Sequence, residues 1–300
     1  MRLINLFLGI LFVSSTLQAG PLQVVTSTMD LANIAASIGK DRVSVVSLTS
    51  GAQDLHQVDA RPSMVARVHQ ADIVVRIGMD LDSWMDSIMD AAKNPRARLG
   101  KPGYVDASLH IKKLQIPQGK IDGSMGDIHI FGNPHYWLDP ENGKVIAKSI
   151  LDALIAISPQ DKAFFVHNYT AYIQELDGKI INWKSALKPY KGMKILTFHR
   201  GWPYFAERFG FSVLGEIEPK PGIPPSPGHL LSLIAQVKRD RIQFIIAAPY
   251  DNLRACEKVA KDAGIPLLVL ATSAGGMTGV VNYTDIFDYS VKQITTKVSL

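Results

Sequence analysis

One helical pattern, running from Pro159 to about Leu187, divides this chain and limits what it can fold into. Ser158 supplies an N-cap and Pro159 fits the first helical position. Phe165, Tyr169, Tyr172, Leu176, Ile180, Trp183 and Leu187 recur at three- and four-residue steps and make one apolar stripe, with Gly178 the single weak point. About 29 residues at 1.5 Å each span roughly 43 Å, where an average helix has about 11–12 residues. That length suits a rigid backbone running the height of two stacked lobes better than an ordinary surface helix.

On both sides of it, short strand patterns alternate with helical ones. The strands are Leu22–Thr26, Val43–Leu48 and Asp72–Ile77 before it, and Lys194–Phe198, Phe211–Glu216, Gln243–Ala247 and Pro266–Leu270 after it. They are apolar on both faces, as parallel strands covered by helices are. The helical patterns are Met29–Ile38, Pro62–Gln70, Leu81–Ala92 and Asn142–Ala156, then Tyr204–Phe209, His229–Lys238 and Asn252–Ala263. The expected fold is therefore α/β: two lobes, each with a mostly parallel sheet flanked by helices, joined by one long rigid interlobe helix. The expected divisions are a signal peptide over 1–19, an N-terminal lobe over 20–157, the backbone helix over 158–188 and a C-terminal lobe over 189–300.

The signal-peptide reading rests on Arg2, the apolar run Leu3–Val13 and the small, polar residues from Ser14 to Gly20, with cleavage expected after Ala19. The apolar run is too short to span a bilayer. The expected location is the periplasm. The single cysteine, Cys256, excludes an internal disulfide and any cysteine-based zinc ribbon or iron–sulfur cluster. Lys and Arg total 32 against 27 Asp and Glu, with no run of five like charges, so no nucleic-acid groove is indicated. A monomer is expected. Residues Glu218–Pro227 hold five prolines in ten residues and predict a stiff, extended, polyproline-like connection suited to a lobe-to-lobe contact.

No catalytic constellation is found: neither an HExxH helix nor a G-x-S-x-G elbow occurs. Chemistry is carried instead by histidines. His56 lies just beyond the strand Val43–Leu48, and His199 lies at the end of Lys194–Phe198. Ligands of open α/β sheets bind beyond the carboxyl ends of strands. His135 sits in Asn133-Pro134-His135-Tyr136-Trp137-Leu138-Asp139-Pro140, where two prolines fix the backbone. Three neutral imidazoles meeting at one point would suit Zn²⁺. Spacing alone does not join them, because no local zinc motif links the three.

These segments resemble a known family, the cluster A-I substrate-binding proteins of metal ABC importers, the ZnuA/TroA-like zinc and manganese binders. The resemblance runs from about Leu22 to Leu300. It is carried by Gly51–His56 with Pro62-Ser63 and Ala71-Asp72, by the Asn133–Pro140 segment almost letter for letter, by Phe198-His199 with Trp202, Tyr204-Phe205 and Arg208-Phe209-Gly210, and by Lys261–Pro266. It implies that His56, His135 and His199 are metal ligands and that the long helix is the family's interlobe helix. It implies capture of a divalent cation and its delivery to an ABC permease in the inner membrane.

The chain departs from the family where an aspartate usually supplies a fourth ligand. Thr272 stands there, which leaves water, Asp59, Asp54 or Glu218 for that position; Thr272 faces either the metal or, as a plain strand-end residue, away from the cleft. The family's His/Asp-rich loop is also absent, with only His110 and His129 in its region. His129 could assist metal capture, but the expectation is a solvated loop residue. Asp54 and Asp139 are either partners of the ligand rings or plain surface and capping groups. Zinc is expected over manganese, because imidazole suits zinc and the manganese branch typically has Glu where His199 stands. The alternatives are an exported metal-dependent adhesin or metal buffer and a secreted zinc hydrolase.

Overall fold

The computed structural model describes residues 20–119, 126 and 128–300; the signal-peptide expectation over 1–19 lies outside the described residues. Strands β1 (Leu22–Thr26), β2 (Val43–Ser47), β3 (Ile73–Arg76) and β4 (Tyr104–Asp106) form one sheet in the order β2-β1-β3-β4. Strands β5 (Lys194–Thr197), β6 (Ser212–Glu216), β7 (Phe244–Ala247) and β8 (Leu267–Val269) form a second in the order β6-β5-β7-β8. All pairs are parallel, with Val24 beside Val45 and Ile73 in the first sheet and Ile195 beside Val213 and Phe244 in the second. The fold is the two-lobed α/β architecture expected.

Helices α1 (Met29–Gly39), α2 (Pro62–Gln70) and α3 (Trp84–Ala92) belong to the first run, followed by α4 (Pro140–Ile157). The long pattern becomes a 3-10 turn, Pro159–Asp161, then the continuous helix α5 (Lys162–Leu187) and a second 3-10 turn, Lys188–Tyr190. Its buried residues are Phe165, Tyr172, Leu176, Ile180, Trp183 and Leu187, six of the seven in the stripe; Tyr169 is half-buried. Burying six such side chains is worth on the order of 10 kcal/mol gross, well above the cost of about 1 kcal/mol for Gly178. Helices α6 (Pro203–Phe209), α7 (Pro227–Asp240), α8 (Leu253–Ala263) and α9 (Tyr283–Lys297) complete the chain.

Helix α5 packs on α1, α4 and α9. One apolar core therefore runs through both lobes, from Val24 and Ile73 through Ile146, Leu176 and Phe287 to Phe244. Trp183 packs against Phe287 with the rings tilted and 5.0 Å between centroids, and donates from Nε1 to Asp288 Oδ1 at 2.7 Å, so the C-terminal helix is tied to the backbone helix.

Strand β4 and helix α9 fall outside the patterns read from sequence. Three residues are too few to show a period. In α9 the buried face is interrupted by Thr284 and Ser290, the latter bonding back to Ile286 O at 2.7 Å, which dilutes the apolar stripe. The proline-rich segment differs from expectation. Lys220 to Ile223 folds into a tight turn, with Ile223 N–H donating to Lys220 O at 2.9 Å and Gly222 at φ 80°. Pro at the second turn position and Gly at the third make a type II turn, so the glycine overrides the extended preference of its neighbours. The segment does meet the other lobe: a Cβ on Gly126 would fall 2.4 Å from Pro221 O.

Candidate metal centre

His56 stands in the turn that follows β2, His199 follows β5 by two residues, and His135 opens the 3-10 turn Tyr136–Leu138 that leads into α4. The segment around His135 is bolted from both lobes. On the N-terminal side Tyr136 OH donates to Ile77 O at 2.7 Å. On the C-terminal side Asn133 Nδ2 donates to Arg200 O at 2.7 Å, and Trp137 Nε1 to Thr272 O at 2.8 Å. Tyr283 OH donates to Trp137 O at 2.6 Å. Asp139 caps α4 and takes a two-pronged bond from Arg208 at 2.6 and 2.7 Å. Asp139 is thus an anchor of the segment, not the partner of a ligand ring.

These anchors bring the three predicted histidines together. Donor atoms of His56, His135 and His199 all lie within 4.8 Å of one another, and their ring centroids are 5.1–5.4 Å apart. Each Nδ1 faces away from the cluster onto an acceptor. His56 Nδ1 meets Asp54 Oδ1 at 2.8 Å, His199 Nδ1 meets Glu218 Oε2 at 2.7 Å, and His135 Nδ1 meets Asn133 Oδ1 at 3.1 Å. Such partners fix the tautomer and leave Nε2 as the free donor. Burial, reinforced by the neighbouring imidazoles, holds His135 well below the ordinary imidazole value, so it stays neutral. Burial opposes ionisation of Asp54, but its bonds from the His56 ring and N–H outweigh this and hold the carboxyl below its ordinary value.

The fourth-position expectations resolve unevenly. Asp54 and Glu218 sit behind His56 and His199, orienting their rings. Asp59 is exposed on the loop before α2. Thr272 is buried and lines the cleft, but its hydroxyl is bonded to Tyr250 OH at 3.2 Å. His129 is not the solvated loop histidine expected. Its side chain is only 15% exposed, its Nδ1 bonds Asp80, and its Nε2 lies 3.2 Å from His56 Nε2. The physical reason is the Asp80 carboxylate, far away in sequence, which draws the ring inward. His69 and His229 bond backbone carbonyls elsewhere, and His110 and His167 are exposed.

Two cavities meet at His135 and His199, one of about 160 Å³ beside His129 and one of about 180 Å³ lined by Asp54, Glu218 and Asp251. Asp251 is a cleft residue that the sequence reading missed. Burial drives its carboxyl up to about 7, against the Ala248 N–H bond, and Glu218 and Asp54 push in the same direction as burial. The signal was available, because Asp251 follows a parallel strand as His199 does. Among the described residues no helix is long and apolar enough to cross a membrane.

The sequence matches the family ZnuA, zinc-uptake complex component A, periplasmic, over residues 24–297. It is 25% identical over 276 residues to the manganese ABC transporter substrate-binding lipoprotein PsaA of Streptococcus pneumoniae, covering 87% of this chain and 86% of that protein. It is 27% identical over 254 residues to the high-affinity zinc uptake system protein ZnuA of Yersinia pestis, covering 81% and 80%. A crystal structure of ZnuA shares the fold with a TM-score of 0.77 at 22% identity, over 92% of this chain and 99% of that one. The chain therefore belongs to the ZnuA family of metal ABC transporter substrate-binding proteins, and it is a carrier of metal, not an enzyme.

Proposed function

We propose that this protein captures Zn²⁺ with His56, His135 and His199 and delivers it to an ABC permease in the inner membrane. The observation that carries the reading is the convergence of three imidazole donors within 4.8 Å, each ring oriented from behind by Asp54, Asn133 or Glu218. Neutral nitrogen donors favour zinc, whereas manganese favours carboxylate and water oxygen. The relatives are named for zinc and for manganese, so the choice of zinc rests on this donor set. Delivery in the periplasm, after cleavage near Ala19 and as a monomer with lobes over 20–157 and 189–300 about the 158–188 helix, completes the proposal.

Isothermal titration of the apo-protein with zinc and with manganese tests it. One zinc per chain, bound more tightly than manganese, is expected. Equal or tighter manganese binding would overturn the choice of metal, and no binding of either would overturn the site.

A further inference from the structure

A fourth imidazole stands at the open edge of the cluster, and the chain goes to some length to hold it there. His129 lies on the loop between β4 and His135. Two glycines in left-handed conformation, Gly126 and Gly132, lie on either side of His129. Gly126, at φ 79°, lies against Pro221 O of the other lobe, and Gly132, at φ 107°, lies against Leu114 O; a Cβ would fall 2.4 and 2.9 Å from those oxygens. His129 is 5.3 Å from His56 and 6.5 Å from His135 between ring centroids, so it approaches the cluster from the His56 side.

The nitrogen atoms constrain the chemistry. Nδ1 of His56 faces Asp54 and Nδ1 of His129 faces Asp80, both carboxylates, which accept and do not donate. Each neutral ring therefore carries its proton on Nδ1. Both Nε2 atoms then present lone pairs, and they face each other at 3.2 Å. Two lone pairs at that distance repel unless a cation lies between them. Two nitrogens on a tetrahedral zinc at 2.0–2.1 Å are separated by about 3.3 Å. The His56–His129 spacing matches two donors to one ion, and His129 joins the set of His56, His135 and His199, whose donors lie within 4.8 Å of one another, through His56.

Asp80 is aimed by an unusual backbone. Gly78, Met79 and Asp80 have φ of 78°, 50° and 57°, three successive left-handed residues of which two carry side chains. Asp82 holds this turn by accepting from Ile77 N at 2.6 Å and Gly78 N at 3.0 Å while paired with Arg76 at 3.1 Å. The turn presents both Asp80 oxygens to the loop: one takes His129 Nδ1, and the other takes Ile130 N–H at 3.2 Å. Backbone of this kind persists where the surroundings over-determine it, commonly at functional sites.

We propose that Asp80 is the positioning residue that makes His129 the fourth donor to zinc. The inference rests on the three-imidazole reading above. A four-imidazole set would also extend the preference for zinc, since no hard oxygen donor is added.

A double-mutant cycle in the full protein tests it, using Asp80→Ala, His129→Ala and the pair. Zinc affinity is read by chelator competition, and site geometry by the intensity of the cobalt(II) d–d absorption, which is strong for four-coordinate ions. Asp80→Ala and His129→Ala should each weaken zinc about 10- to 100-fold and reduce the cobalt band. The pair should be no worse than His129→Ala alone, because Asp80 acts through His129. Asp80→Asn, which keeps an acceptor for Nδ1–H, should recover most of the loss. Unchanged affinity and cobalt band in Asp80→Ala, or an undiminished Asp80→Ala effect in the His129→Ala background, would overturn the proposal. Loss of binding in His135→Ala beside wild-type binding in Asp80→Ala would overturn it while leaving the three-imidazole site standing. Unchanged binding in His135→Ala would overturn both.

Discussion

In the strand orders β2-β1-β3-β4 and β6-β5-β7-β8, β3 and β7 hold the same place, and four residues beyond the end of each stands an aspartate, Asp80 and Asp251. Asp80 bonds an imidazole, whereas Asp251 takes the N–H of Ala248 and faces Asp54 and Glu218 across the acidic cavity. The first two strands of each lobe differ in a similar way. In the N-terminal lobe the second strand, β2, leads to His56, and the first, β1, ends in the Thr28 cap of α1. In the C-terminal lobe the first strand, β5, leads to His199, and the second, β6, leads to Glu218, which orients that ring. Two copies of one topology thus offer strand ends to one cleft, and the residue at each end decides whether it is donor, orienting acid or cap. His135 and His129 come from the connection after β4, which the C-terminal lobe does not match.

The comparison predicts that the lobes contribute alike to binding. His56→Ala and His199→Ala should each cost more than about 100-fold in zinc affinity, above the range for losing an outer partner. Titration checks this, and a large loss in only one of the two would break the symmetry.

A smaller effect is expected behind the rings. Glu218→Gln and Asp54→Asn should each weaken zinc by about 10-fold, up to 100-fold, since they orient a donor without replacing it. Chelator competition measures both, and a loss as deep as that of the histidines would make the carboxylate itself a ligand.

The lobes are also tied by Asp30, fully buried at the start of α1, which accepts from Ser273 Oγ at 2.6 Å and Ala274 N at 2.9 Å on the other lobe. Burial pushes its carboxyl up to about 6, with the bonds from Ser273 and Ala274 opposing the shift. An acid whose folded value is raised binds protons more tightly when folded, so its contribution to stability falls as pH rises from about 4 to about 6. Asp30→Asn can keep both contacts and should stabilise the apo-protein by up to about 3 kcal/mol at pH 8 and little at pH 4. Urea unfolding at the two pH values checks the sign; equal effects at both would show that the carboxylate carries no burial penalty.

The smallest effect separates the paired aspartates. Asp251→Asn should change zinc affinity less than about 10-fold, below the range for partners that bond a ligand ring, because Asp251 bonds the N–H of Ala248 and none of the four imidazoles. A loss equal to that of Asp80→Ala would erase the distinction drawn between them.

The parts of this arrangement legible in sequence are those written locally. Strands β1 and β5 appear as apolar runs, α5 as a stripe, and His56 and His199 as strand-end residues. The Asn133–Pro140 segment carried its resemblance in eight consecutive letters. Long-range polar pairing was not legible. Asp80 and His129 are 49 positions apart, and Asp30 and Ser273 are 243 apart. Neither pair shares a period, a spacing or a motif. His129 alone in its loop reads as solvated, and Thr272 alone as a missing ligand, until Asp80 and Tyr250 are placed beside them. Strand β4 and the lobe-crossing helix α9 were missed for the related reason that tertiary burial, not a clean pattern, holds them.

The central claim is that imidazole nitrogens of both lobes hold the cargo. X-ray absorption at the zinc edge of the loaded protein tests it most directly. The account predicts a first shell of nitrogen at about 2.0–2.1 Å with the outer-shell scattering of at least three imidazole rings, lost in part when His135 is replaced by alanine. A first shell dominated by oxygen, unchanged in His135→Ala, would contradict it.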